Sequence, residues 1–175
     1  MKGKALMISA LAFMLLAFVP LAMATPGNGQ KVPASIVTIG ALPPSYTPTF
    51  TNGGIVHLSG IEVYFNILTI NGQDYNIYSY NVANLTGNTK TGLLVANGKG
   101  VWYVTDDPYT VEETSDGFAV SVVYVITDYN PVTNTFSGIK VHALAHGFGV
   151  FEGQILELSY HGPPGGVWTG ICIKG

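Results

Sequence analysis

Between residues 142 and 174 the chain reads HALAHGFGVFEGQILELSYHGPPGGVWTGICIK, three runs of alternating apolar and polar residues joined by glycine-rich corners. A period of two puts every second side chain on one face of an extended strand, and no helical stripe can be drawn through it. Ile139, Val141, Ala143 and Ala145 oppose Lys140, His142, Leu144 and His146, and Leu156, Leu158 and Tyr160 oppose Glu157, Ser159 and His161. Leu156, Leu158 and Tyr160 are expected to face a core. Glycines at 138, 147, 149 and 153 suit bends and bulges in strands that must coil tightly.

The rest of the chain repeats this pattern. Residues 55–70 form the best strand of the first half, followed by Asn71-Gly72. Both central positions of a two-residue hairpin turn need positive φ, which Asn and Gly supply cheaply. Such a turn fixes the register: Phe65 meets Tyr78, Val63 meets Tyr80, Ile61 meets Val82, and on the other face Tyr64 meets Ser79 and Glu62 meets Asn81. Taking the apolar face as the buried one places Phe65, Tyr78 and Tyr80 inside, with Glu62 and, on a later strand, Glu157 outside.

Further strands are expected at 31–41, 118–128, 135–147, 154–161 and 167–174, with a short hairpin of 92–96 against 100–105 turning about Asn97-Gly98. Residues 43–54, PPSYTPTFTNGG, read as a long loop covering one end, and 106–117 as an acidic, turn-rich loop. About eight strands at hairpin spacing, with no amphipathic helix, imply an all-β fold: a closed, antiparallel, roughly eight-stranded barrel whose closure removes the sticky edges of an open sheet.

The N-terminus carries an export signal. Lys2 and Lys4 precede an apolar run over 5–19, Pro20 breaks it, and Ala22-Met23-Ala24 supplies small residues at a cleavage point. The expected organisation is a signal peptide at 1–24, a flexible leader at 25–30 and one barrel domain at 31–175. A retained signal anchor and pilin-type processing after Gly3 are the competing readings. Cleavage leaves no membrane span and a secreted or cell-surface protein.

Composition narrows the function further. Seven Lys+Arg stand against ten Asp+Glu for a net charge of −3, and loss of Lys2 and Lys4 with the leader takes it to −5. No arginine occurs anywhere. A mildly acidic, arginine-free domain has no footprint for a phosphate backbone, so nucleic acid is not an expected partner. Cys172 is the one cysteine, which precludes an intrachain disulfide and reads as a small buried hydrophobe.

The run Gly147-Phe148-Gly149-Val150-Phe151-Glu152-Gly153, leading into a long strand, resembles the glycine-aromatic-glycine hairpin of the dirigent and allene oxide cyclase-like barrel superfamily. It also resembles a loosely defined group of secreted prokaryotic proteins of unknown function carrying H-G-x-G-x-F-E-G-Q and an S-Y-x-G-P strand end. The likeness covers residues 140–170, about a fifth of the exported chain. It implies an eight-stranded antiparallel barrel with a hydrophobic bore, often assembled as a trimer. No position matches the plant enzymes' active-site residues, so none is carried over.

Motifs for chemistry are sparse. His142 and His146 are four apart, which on a strand separates them by about 13 Å, too far to share one metal. His57 and His161 join them only if the fold allows, so no metal site is expected. Asp106, Asp107, Glu112, Glu113 and Asp116 lack the regular ladder of a calcium loop. No nucleophile elbow, phosphate cradle or cofactor pattern occurs. Asn84-Leu85-Thr86 is a glycosylation sequon. What remains is an inward aromatic set, Phe65, Tyr78, Tyr80, Tyr160 and Trp168, as candidate ligand-binding residues for an apolar small molecule. The leading expectation is a secreted, non-enzymatic binding barrel, homo-oligomeric as the resemblance implies. The alternatives are a cyclase or isomerase steering a lipophilic substrate in the bore, and a structural subunit of an extracellular assembly.

Overall fold

The computed structural model describes residues 29–175, apart from 52, 131, 132 and 134. The proposed signal peptide and most of the leader lie outside the described residues, although Gln30 already belongs to the first strand. Nine strands follow in order: β1 (Gln30–Ala41), β2 (Ser45–Thr51), β3 (Ile55–Ile70), β4 (Gln73–Asn88), β5 (Leu93–Thr105), β6 (Gly117–Thr127), β7 (Gly138–Phe148), β8 (Gln154–Gly162) and β9 (Trp168–Lys174). All pairings are antiparallel, each strand from β3 onward pairing with the next. β1 joins β9 on one side and β3 on the other. The result is a closed eight-stranded barrel with β2 as an additional strand.

The register of the first hairpin is the one that the Asn71-Gly72 turn demands: Phe65 lies opposite Tyr78, Val63 opposite Tyr80 and Glu62 opposite Asn81. Asn71 and Gly72 have φ of 51° and 81°, as a two-residue turn of this hand requires.

Two expectations about strands are corrected. The stretch 43–54 is not all loop: Ser45–Thr51 form β2, paired from Ser45↔Ile61 to Thr51↔Ile55. β1 takes the other half of β3, from Ala34↔Ile70 to Ala41↔Tyr64. The Leu42 amide donates to the Val63 carbonyl at 3.1 Å and carries the ladder across the break. β1 and β2 are thus one strand in two pieces, and Pro48 is tolerated because β2 pairs with β3 alone among the described strands. Likewise, Asn97-Gly98 is no turn. β5 runs straight through it, pairing Asn97 with Asn84 and Gly98 with Ala83. Its glycines serve close approach instead: a Cβ on Gly100 would overlap Asn81 Oδ1 and the Tyr80 carbonyl.

One end of the barrel is solid. The 3-10 turn Gly149–Phe151 tucks Phe151 against Phe118 and Tyr75, with ring centroids 4.9 and 5.1 Å apart. Leu68, Ile77, Leu156 and Cys172 fill the space around that end with no exposed surface. The apolar face read for β8 does point to this core through Leu156 and Leu158, and Val141, Ala143 and Ala145 of β7 join it.

Candidate functional site

Toward the other end the bore is neither filled nor purely apolar. Even-numbered residues of β3 and odd-numbered residues of β4 face inward, so the expected orientation of this hairpin is reversed although its register is right. Glu62, Asn66, Ser79 and Asn81 are buried, whereas Tyr80 is 37% exposed. Phe65 and Tyr78 are buried on the outside of the wall. Phe65 meets Tyr109 edge-on at 5.7 Å, Tyr78 stacks with Tyr103 at 6.1 Å, and Tyr103 contacts Phe148. The loop 106–116 thus supplies Tyr109 to shelter an apolar outer face, which is why the apolar side of the hairpin need not be the inner one.

Two cavities, each of about 240 Å³, occupy the open half. Either far exceeds the ~10–15 Å³ that one water needs. They share Tyr64, Tyr124, Phe136 and Ile139 as common wall. The first reaches the surface at the β8–β9 corner, where exposed Pro164 and Gly165 rim it, and contains Asn66, Ser79, Asn81, Trp102, Tyr160 and Trp168. The second reaches it beside exposed Pro44 and contains Glu62, Tyr46, Tyr129, Leu58, Leu85 and Leu94.

Glu62 organises the second cavity. Tyr46, brought in by β2, donates its hydroxyl to Oε1. Tyr124 on β6 donates to Oε2 at 3.2 Å, and the Tyr64 hydroxyl also bonds the carboxyl. Burial pushes the Glu62 carboxyl above the usual carboxylate range, and the three phenols, which favour the charged form, offset only part of that. Burial, reinforced by the Glu62 charge, raises all three phenols well above their ordinary value. They remain donors at any physiological pH.

The first cavity carries a polar chain. Thr38 Oγ1 donates to Asn66 Oδ1 at 2.8 Å, and Asn66 Nδ2 donates to Ser79 Oγ at 2.6 Å. Asn81, 4% exposed, ends this row with its Oδ1 buried and unpartnered. Neither cavity is lined by lysine or histidine. Chemically the bore offers an amphipathic guest an aromatic wall, one carboxyl group and an unfilled acceptor.

Of the five aromatic residues singled out from the sequence, Tyr160 and Trp168 line the bore and Phe65, Tyr78 and Tyr80 line neither cavity. Tyr160 also ties down the corner, its hydroxyl donating to the Pro163 carbonyl at 2.6 Å. Asn84 is exposed on the outer wall and accepts a hydrogen bond from Ser59 Oγ at 2.8 Å. The four histidines are exposed: His57 shares a hydrogen bond with Thr86 and His142 one with Ser159, each at 3.0 Å. Among the described residues no group of three or more His, Cys, Asp or Glu is placed to hold a metal ion.

Glu62, Tyr64, Asn66, Ser79 and Asn81 were not singled out as site residues. Their signal was present as a polar row, every second residue on each side of the Asn71-Gly72 turn, in a chain with few charges to spend on strands. Tyr46 and Tyr124 left no such trace, because only the fold brings β2 and β6 to Glu62.

Comparison with protein-family models, with curated proteins and with solved structures finds no match for this chain.

Proposed function

We propose that this is an exported barrel that binds a small, largely apolar molecule in its open half, without transforming it. One observation carries the reading: the bore is plugged at one end by Phe151 and hollow at the other, and the hollow is lined mainly by apolar and aromatic side chains around a few converging polar groups. That composition is the usual one for a small-molecule site. A barrel meant only as a scaffold would be expected to fill this volume with side chains. Native mass spectrometry of protein purified from its own host tests the proposal. A co-purifying mass, displaced when Trp168 is changed to Arg, is the expected result. Protein with no bound mass, and no response to any lipophilic probe, would overturn it.

A second reading, a cyclase or isomerase acting on a lipophilic substrate, is favoured by the Glu62 cluster. A buried carboxyl above its usual range beside phenol donors is a group suited to moving a proton. That reading requires turnover to vanish in Glu62→Gln while ligand binding persists. Under the binding reading there is no turnover to lose.

A further inference from the structure

An isolated carboxyl inside a barrel needs an explanation of its own. Glu62 is 7% exposed, and the groups that face it are phenols: Tyr64 from its own strand, Tyr46 from β2 and Tyr124 from β6. They stabilise its charge through hydrogen bonds without cancelling it. No lysine or histidine lines its cavity, and the chain has no arginine. Buried charges in proteins are ordinarily paired with an opposite charge. Here five aromatic residues, Tyr46, Tyr64, Tyr124, Tyr129 and Phe136, line the cavity with the carboxyl. The faces of such rings carry negative potential and attract a cation, all the more when it has left water.

Asn81 points the same way from the adjoining cavity. It lies directly across the β3–β4 ladder from Glu62, and its buried Oδ1 has no donor. Both polar features without a complement are therefore acceptors, and they sit on adjacent strands of one wall. Asn81 lacks a donor and Glu62 lacks an opposite charge, and an ammonium group is a donor that carries one.

Resting on the binding reading above, we infer that the guest carries a protonated amine, seated at the Glu62 carboxylate within the ring of aromatic residues, with its apolar body extending along the bore past Trp102 and Trp168. Binding then replaces the proton that burial favours on Glu62 with the ammonium group, so complex formation releases that proton wherever the free protein still holds it, from the ordinary carboxylate value up to the raised one.

The test is a matched set of probes on the intact protein: hexylammonium, hexan-1-ol and hexanoate, followed by titration calorimetry and by tryptophan fluorescence. The amine is expected to bind at least tenfold more tightly than the alcohol, and hexanoate not at all. Calorimetry in buffers of different ionisation enthalpy, at a pH just above the ordinary carboxylate value, is expected to show proton release with the amine alone. Glu62→Gln should abolish the preference. Phe136→Leu, which keeps the carboxyl and removes a ring from the shared wall, should weaken the amine more than the alcohol and so narrow the preference, and this variant serves should Glu62→Gln not fold. Equal affinity for amine and alcohol, or a preference retained in Glu62→Gln, overturns the amine assignment and leaves the binding reading intact. Failure of all three probes, together with no co-purifying mass, overturns both.

Discussion

Glu62 and Asn81 stand opposite one another in the β3–β4 ladder, both inside the barrel and both nearly sealed from solvent. The carboxyl has three phenol donors, whereas the amide oxygen beside it has none. An unsatisfied buried acceptor costs roughly 1–3 kcal/mol, and folding alone gives no return for it. The asymmetry places the unmet demand of the fold at the hollow half of the bore, where a guest would meet it.

Stability should depend on pH through Glu62 with a definite sign. Its folded-state value is raised, so the native state holds a proton that the unfolded chain releases at the ordinary carboxylate value. The contribution is full below that value, is lost as pH climbs through the window up to the raised one, and is level above it. Each unit of upward shift amounts to about 1.4 kcal/mol. Urea unfolding of the wild type and Glu62→Gln between acid and neutral pH reads this directly: the wild type is expected to lose stability relative to the variant as pH rises. A flat difference would contradict it.

Replacing Asn81 by Leu should stabilise the ligand-free barrel by roughly 1–2 kcal/mol, because the orphaned acceptor disappears and volume is nearly kept. The same change should weaken any guest that donates a hydrogen bond there. Unfolding midpoints and probe affinity are expected to move in opposite directions.

Gly100→Ala should destabilise the protein by about 1–3 kcal/mol. Its Cβ would meet not only the Asn81 side chain but the Tyr80 backbone carbonyl, which no rotamer change can relieve. Adding Asn81→Ala is expected to recover only part of the loss in urea titrations.

Inner and outer tyrosines should separate cleanly. Tyr64→Phe removes a donor from Glu62 and is expected to alter probe affinity severalfold. Tyr80→Phe acts on a ring outside both cavities and is expected to leave affinity unchanged. Equilibrium titrations of the two variants decide it.

Cys172 has no exposed surface, its thiol donates to Gln154 Oε1 at 3.3 Å, and burial pushes it above the usual thiol value. The thiolate is the reactive form, so a disulfide reagent should modify it only as fast as the barrel opens. The labelling rate is expected to follow the unfolding rate across a denaturant series.

Much of the fold was legible because its causes are local. The Asn71-Gly72 turn needs two positive-φ residues and thereby sets every pair along β3 and β4. Alternation along β8 gave its inner face correctly, since a single face there is apolar. In β3 and β4 the same reasoning pointed the wrong way. Phe65, Tyr78 and Tyr80 outrank Glu62, Asn66 and Asn81 in hydrophobicity, but the outer face is partly covered and the inner one holds a polar girdle. β2 was masked by prolines that an edge strand accepts, and Asn97-Gly98 borrowed the signature of a turn in the middle of a strand.

By itself, then, the sequence determined which residues pair with which across the Asn71-Gly72 hairpin, because backbone turn geometry and a period of two act over a few residues. It could not determine which side of the wall became the interior. That choice was made when the sheet closed, when the loop 106–116 laid Tyr109 over Phe65, and when β2 and β6 delivered Tyr46 and Tyr124 to Glu62. Burial is a property of the closed surface, shared among strands distant in the chain, and a buried carboxyl becomes tolerable only after those strands have met.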